Sequence, residues 1–394
     1  MTKTFWTLLG GATALTVLAL TPSAQAQQGP IKIGASMSLT GTYAKPGSYQ
    51  KEGYEICADE VNGKGGVLGR KIEFVLYDDQ SMPATAVKLY EKLITDDKVD
   101  AVMGPYSSAV SEAAANVTEK YKKVMVAPLA ATTSIFKKGR KYIFMVVSPA
   151  EVYLDGLVDM AAKRGLKTIA LINEDTLFPK ASAAGTAETA KKRGMQVVLQ
   201  ESYPKGNTDF SAMLVKIKAL NPDVIAAGTY FDDAVAITRQ MKELGVNPKM
   251  LGLTVGGDLP EFYDLLKLNA EYVYGATQWD ESLAYPGNKE FVAAYQKKFK
   301  REPAYHAAAG YAGCLIYVDA VRRAGTLDSE KVREELLKLK TKNAFGDYAV
   351  DADGFQTAHK ATMLQWQDGK RVIVWPDDLA NGKARFPTPP WNLR

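Results

Sequence analysis

From residue 30 onward the chain alternates short apolar runs with longer amphipathic stretches, and this restricts it to an α/β fold. The expected strands and helices follow one another as 31–37, 47–61, 71–77, 84–94, 99–103, 108–121 and 124–127. Within the first two helices the apolar positions Tyr54, Cys57, Ala58 and Val61, then Ala86, Val87, Tyr90, Leu93 and Ile94, recur at helical spacing. Gly63–Gly69 reads as a turn, because no helix opens on it after a strand. The pattern restarts after Pro149. Helices are expected at 152–162, 181–192, 210–219, 234–244 and 260–268. Strands are expected at 168–172, 196–203, 224–227, 250–253 and 272–276. Three more helices (288–299, 307–323, 329–339) and a strand at 362–367 complete the chain, before a tail that Pro387, Pro389 and Pro390 make irregular.

Two α/β modules suit the length. The 394 residues exceed the size, about 250–300 residues, at which a single core stops growing. The N-terminus places Lys3 before the uncharged apolar run Phe5–Leu20, followed by Thr21-Pro22-Ser23-Ala24-Gln25-Ala26. That is the order of a cleavable secretory leader, with the cut expected after Ala26. Export makes a disulfide chemically possible. Cys57 and Cys314 nevertheless both lie among small apolar residues, so free buried thiols are the expectation. The net charge of +5 is mild and its lysines are scattered, which gives no basic stripe for nucleic acid. Neither His306 nor His359 sits in a metal-ligand pattern, and no cofactor is implied.

In an open parallel sheet, ligands bind beyond the carboxyl ends of the strands. Met103 leads into Gly104-Pro105-Tyr106-Ser107-Ser108, and Ala127 into Pro128-Leu129-Ala130-Ala131-Thr132-Thr133. Hydroxyls and first-turn amides there can hold a carboxylate, although capping a helix is the commoner task of such residues. Leu39–Tyr43 follows the first strand. In the second module the corresponding stretches carry Phe178 and Tyr230, and Trp279 is expected at a crossover facing the cleft. Catalysis finds little material. There is no G-x-S-x-G elbow, no phosphate loop and no Cys–His neighbour. The acid pairs Asp78-Asp79 and Asp96-Asp97 read as solvated loop carboxylates.

These stretches together resemble one family. They are Ile31-Lys32-Ile33-Gly34 with Ser38-Leu39-Thr40-Gly41; Ala58-Asp59-Glu60-Val61-Asn62 with Gly65-Gly66; Tyr77-Asp78-Asp79; Met103-Gly104 with Ser107-Ser108; Pro128 with Ala130-Ala131-Thr132; and Asp209-Phe210-Ser211. In this order they are similar to the branched-chain-amino-acid-type solute-binding proteins of ABC importers, over nearly the whole chain beyond residue 30. The resemblance implies a type I periplasmic binding fold: two Rossmann-like lobes with parallel-type sheets joined by three crossovers, near Val147–Pro149, Trp279–Leu283 and Phe345–Asp351. Lobe 1 would comprise 30–147 plus 282–346, and lobe 2 149–280 plus 348–390. It also implies a periplasmic monomer that delivers its ligand to membrane permease subunits and performs no chemistry. A two-lobed hydrolase and a sensor ectodomain are the rival classes.

By the same resemblance Ser108, Ala130 and Thr132 would hold a ligand carboxylate and amine, with Ser107 and Ala131 beside them. Tyr43, Tyr106, Phe178, Tyr230 and Trp279 would surround the ligand body. The family's acid for the α-ammonium has no counterpart here, since Val255 stands at the matching place. Phe178 lacks the hydroxyl of the family aromatic it matches, and Pro46 stands where some members carry Tyr. A buried ammonium without a counter-charge costs several kcal/mol. An amine-free aromatic carboxylate is therefore the favoured ligand. A branched-chain or other hydrophobic amino acid remains the alternative if Asp232, Asp233 or Asp258 supplies the missing charge.

Overall fold

Ile31–Met37 forms β1, buried at every position but Lys32, because it lies in the interior of a parallel sheet and both of its faces are covered. The computed structural model describes residues 1–4 and 29–394. The leader and its cut after Ala26 therefore lie almost wholly outside the described residues. After β1 come α1 (Ala44–Gly63), β2 (Ile72–Asp78), α2 (Pro83–Thr95), β3 (Ala101–Met103), α3 (Ser108–Lys120), β4 (Met125–Ala127), α4 (Thr133–Phe136) and β5 (Ile143–Met145). These strands make a five-stranded sheet in the order β2-β1-β3-β4-β5, parallel throughout.

A 3₁₀ turn at Ala150–Val152 leads to α5 (Asp155–Lys163), β6 (Thr168–Glu174), α6 (Leu177–Lys192), β7 (Gln196–Tyr203), α7 (Ser211–Leu220) and β8 (Val224–Gly228). Then follow α8 (Phe231–Leu244), β9 (Met250–Leu253), α9 (Pro260–Leu266) and β10 (Tyr274–Thr277). Next come α10 (Asn288–Phe299), α11 (Tyr305–Ala324), α12 (Ser329–Lys338), the small hairpin β11 (Thr341–Asn343) and β12 (Gly346–Tyr348), and β13 (Thr362–Gln367) with β14 (Lys370–Trp375). The second sheet has seven strands in the order β14-β13-β10-β9-β8-β6-β7. It is parallel except where β13 pairs antiparallel with β10 and β14. The chain passes between the sheets three times. Helices α10 and α11 return to pack on α1 in the first body, and β13–β14 complete the second.

Several differences from the sequence reading are local. Strands β5 and β14 had no assignment, although Ile143–Val147 and Val372–Trp375 are apolar runs. The expected helix at 152–162 begins as the 3₁₀ turn, and the one at 260–268 ends as another, Lys267–Ala270. The paired acids are not loop decoration. Asp79 is fully buried, and its carboxylate accepts from Ser36, Ser38 and the Ser81 amide. Asp78 accepts from the Leu39 and Thr40 amides and from the Thr40 hydroxyl. Together they strap the β1–α1 loop to the end of β2 and so hold Tyr43 in place. Asp97 pairs with Lys92 and Tyr77.

The cysteines also depart from expectation. They are bonded to each other, with Cα atoms 6.2 Å apart. Helices α1 and α11 approach backbone to backbone because small residues meet there. A Cβ at Gly53 would lie 2.1 Å from the Ala307 carbonyl oxygen, and one at Gly310 would lie 2.6 Å from that of Gln50. That approach brings Cys57 and Cys314 within bonding reach. A small apolar neighbourhood is what close helix packing requires, so it was no argument for free thiols.

Candidate functional site

Loops at the carboxyl ends of β1, β3 and β4 in one body face those after β6, β8 and β9 in the other. Between them lies a narrow, nearly closed cavity of about 10 Å³. Tyr106, Ser107, Ser108, Leu129, Ala131, Tyr153, Phe178, Tyr230, Val255 and Tyr305 line it. Seven of these belong to the residues expected from the sequence.

The hydroxyls divide into two kinds. Ser107 has φ 69° and ψ 151°, a region L-residues rarely occupy, and its Oγ caps α3 by accepting from the Val110 amide at 3.3 Å. Such strain costs of order 1–3 kcal/mol and persists where a site demands the conformation. Ser108 Oγ accepts from the Ala131 and Thr132 amides at 3.1 and 3.3 Å, which ties the β3 and β4 loops together. Its own proton remains available to donate. Thr132 stands at the N-cap of α4 but makes no capping bond, and its buried Oγ1 has no partner among the described residues. The same is true of the Tyr230 hydroxyl. Buried polar groups are ordinarily satisfied. The Tyr230 orphan lines the cavity and suits a ligand that brings its own acceptor, whereas Thr132, like Tyr43, stands just behind the lining.

Tyr230 stands at the N-cap of α8, where Asp233 Oδ1 accepts from its amide at 2.8 Å. Gly256 has φ +93°, and a Cβ there would meet the Tyr230 carbonyl oxygen at 2.5 Å. Glycine thus lets the Val255 loop press on the Tyr230 loop. Aromatic rings close the space: Tyr230 lies 4.3 Å from Tyr43, 6.1 Å from Tyr106 and 5.8 Å from Phe178, and Phe178 lies 5.0 Å from Tyr153. Tyr43 spans the two bodies, its hydroxyl donating to Glu174 at 3.0 Å. Lys205 sits 4.0 Å over the Tyr43 ring and donates to the Ser81 carbonyl at 2.6 Å.

No acid lines the cavity among the described residues. Asp232 is exposed, and Asp233 is engaged by Tyr230, Ala234 and Tyr203. Asp258 is buried, with Oδ1 accepting from the Gly256 amide at 3.2 Å. Burial pushes the carboxyls of Asp233 and Asp258 up to about 7.

Trp279 is not part of this cavity. Its indole N–H donates to Asn288 and to the Ala344 carbonyl, and its ring packs edge-on against Phe291. It braces the passage between bodies against α10, because a donor buried there finds acceptors only on that side. Ala130 is buried one residue away from the lining. Tyr153 and Tyr305 were missed by the sequence reading. Both lie outside the strand-end loops, and only the return of α11 and the turn after Pro149 bring them in. His306 lies behind Tyr106, 5.6 Å away, and burial lowers its imidazole to about 3. Among the described residues no cluster of metal-ligating side chains occurs, and no helix is long and apolar enough to cross a membrane.

The sequence profile described as periplasmic binding protein matches residues 30–371. A Leu/Ile/Val-binding protein homolog of Brucella melitensis is 30% identical over 95% of this chain and 98% of its own length. The leucine-binding protein LivK of Thermotoga maritima superposes with a TM-score of 0.81 at 28% identity, covering 89% of this chain and all of that one. A solute-binding protein of R. palustris, solved with benzoate, shares the fold at a TM-score of 0.78 and 19% identity, over 92% of this chain and 97% of that one. With two α/β bodies closing on a lined cavity, and a profile match over most of its length, the chain belongs to the periplasmic binding protein family; it is a solute-binding protein and not an enzyme.

Proposed function

We propose that this protein captures a small carboxylate in the periplasm and presents it, as a monomer, to the permease subunits of an ABC importer. Two lobes, 30–147 plus 282–346 and 149–280 plus 348–390, close on the ligand about hinges at the passages between sheets. Ser108 and Thr132 donate to the carboxylate, beside Ser107, Ala130 and Ala131. Tyr230 adds its hydroxyl. Tyr43, Tyr106, Tyr153, Phe178 and Tyr305 enclose the ligand body. The observation that carries the choice of ligand is the apolar Val255 in a cavity lined by rings and hydroxyls and by no acid. An amine-free aromatic acid fits that lining without stranding an ammonium. A protein of the same fold has been solved with benzoate, so the fold accommodates a ligand of this class.

One observation favours a second reading. Asp258 is buried on the loop that carries Val255, and similar chains are named Leu/Ile/Val-binding. In that reading Asp258 is the partner of an amino acid's ammonium. A thermal-shift screen of the mature protein against amino acids and their amine-free counterparts separates the two. A ligand at a hundredfold excess over its Kd adds about 2.7 kcal/mol. Stabilisation by benzoate-like acids, retained in Asp258→Asn, supports the aromatic acid. Stabilisation by leucine-like amino acids alone, lost in Asp258→Asn, establishes the second reading instead.

A further inference from the structure

A separate set of contacts crosses between the bodies away from the cavity. Glu261 lies in the first turn of α9, three residues beyond Asp258. Its carboxylate accepts from Lys45 Nζ at 3.2 Å, from the Tyr49 hydroxyl at 3.1 Å and from the Arg301 guanidinium at 3.2 Å. Lys45 and Tyr49 belong to α1, and Arg301 follows α10, so all of these donors stand on the first body, whereas α9 packs on α8 in the second. The donors are pre-arranged. Glu52 accepts from Arg301 at 2.7 Å, and the guanidinium stacks 3.8 Å over the ring of Tyr49, which is itself buried.

The ion pairs of this cluster are not all made within the first body. Glu52 pairs with Arg301, and the neighbouring Glu302 is taken by Arg371 of the second body at 3.2 Å, so Lys45 has no acidic partner of its own in the first body among the described residues. Glu261 supplies Lys45 with a partner, and Arg301 with a second one, only when the bodies meet. Isolated exposed ion pairs contribute little, but this carboxylate is only 22% exposed and is held by two cations and a hydroxyl at once. None of these residues lines the cavity. A change in the closure equilibrium therefore scales the apparent affinity of every ligand by the same factor and leaves their order unchanged.

We propose that Glu261 is a positioning residue: an electrostatic latch that sets the closed fraction of the protein, and hence its affinity, without choosing the ligand. The proposal rests on the hinge closure argued above. Its test is small-angle scattering of the mature, ligand-free protein and of its Glu261→Gln and Glu261→Lys variants. Salt is raised from about 10 mM to about 1 M, over which the screening length falls from about 30 to 3 Å. The latch predicts a larger radius of gyration for Glu261→Gln than for wild type at low salt. Wild type then expands towards the variant's value at high salt. Lys45→Glu combined with Glu261→Lys recovers compactness relative to Glu261→Lys alone. If Glu261→Lys expands while Glu261→Gln matches wild type at every salt, the latch is wrong and the hinge stands. If no variant and no salt changes the radius, both are wrong. Thermal shifts with L-leucine and benzoate supply a second readout: an altered preference between them in Glu261→Gln overturns the proposal.

Discussion

The Tyr43 hydroxyl donates to Glu174 Oε1 at 3.0 Å, joining the loop after β1 in one body to the end of β6 in the other. The Thr176 hydroxyl shares the same oxygen at 2.7 Å. Burial, with the Glu174 charge beside it, pushes the Tyr43 phenol well above its ordinary value, so it stays a protonated donor. Tyr43→Phe keeps the ring against Tyr230 and removes only this bond. Hydrogen bonds to charged groups contribute about 1.5–3 kcal/mol. Calorimetric titration with the acid selected by the screen should show at least a tenfold loss of affinity. An unchanged Kd would mean that the bond does not belong to the binding-competent state.

Ser108 and Thr132 should separate stability from binding. Ser108→Ala strips an acceptor from the buried Ala131 and Thr132 amides and should cost about 1–3 kcal/mol of folding stability along with affinity. Thr132→Val removes a hydroxyl that has no partner among the described residues, so its unfolding midpoint should hold or rise while affinity falls. Denaturant melts paired with ligand titrations of both variants check this. Equal destabilisation by the two would show that Thr132 is structural.

The Cys57–Cys314 bridge joins two helices of one body across a sequence separation of 257, a loop that includes most of the other body, and lies outside the cavity lining. Replacing both residues with Ser should cost about 2–5 kcal/mol and leave the Kd unchanged. The protein denatured without reductant should titrate no free thiol; two reactive thiols would overturn the bridge.

Asp233 and Asp258 set a pH dependence with a definite sign. Their carboxyls are raised in the folded protein to about 7, from 3.8. Between these values the folded state holds more protons than the unfolded one. Their contribution to stability is therefore present at the acid end of that window and is lost as pH rises through about 7. Melting curves of Asp258→Asn should show a shallower fall from about pH 4 to 7 than wild type. A parallel fall would place the titration elsewhere.

How much of this was legible beforehand depended on distance along the chain. Strand β1, helix α2 and the loops ending in Ser108, Thr132 and Tyr230 were readable because alternation, capping and strand ends are short-range signals. Strand β5 was passed over although its Ile143-Phe144-Met145 is as apolar as the equally short β3 and β4. Ser107 and Ser108 look alike as neighbours; only the folded loops make one a cap and the other a strap between strands. The sequence reading turned Trp279 towards the cleft, whereas its indole N–H follows acceptors at Asn288 and Ala344.

By itself, then, the order of residues determined a doubly repeated α/β chain with hydroxyl- and aromatic-bearing loops at its strand ends, since secondary structure periodicity is local physics. Tertiary structure alone decided that Cys57 meets Cys314, that Tyr153 and Tyr305 join the cavity wall, and that Glu261 finds Lys45 and Arg301. Each of those contacts requires two distant segments to be brought together by the packing of α11 on α1 or of one body on the other, and no short-range pattern encodes that approach.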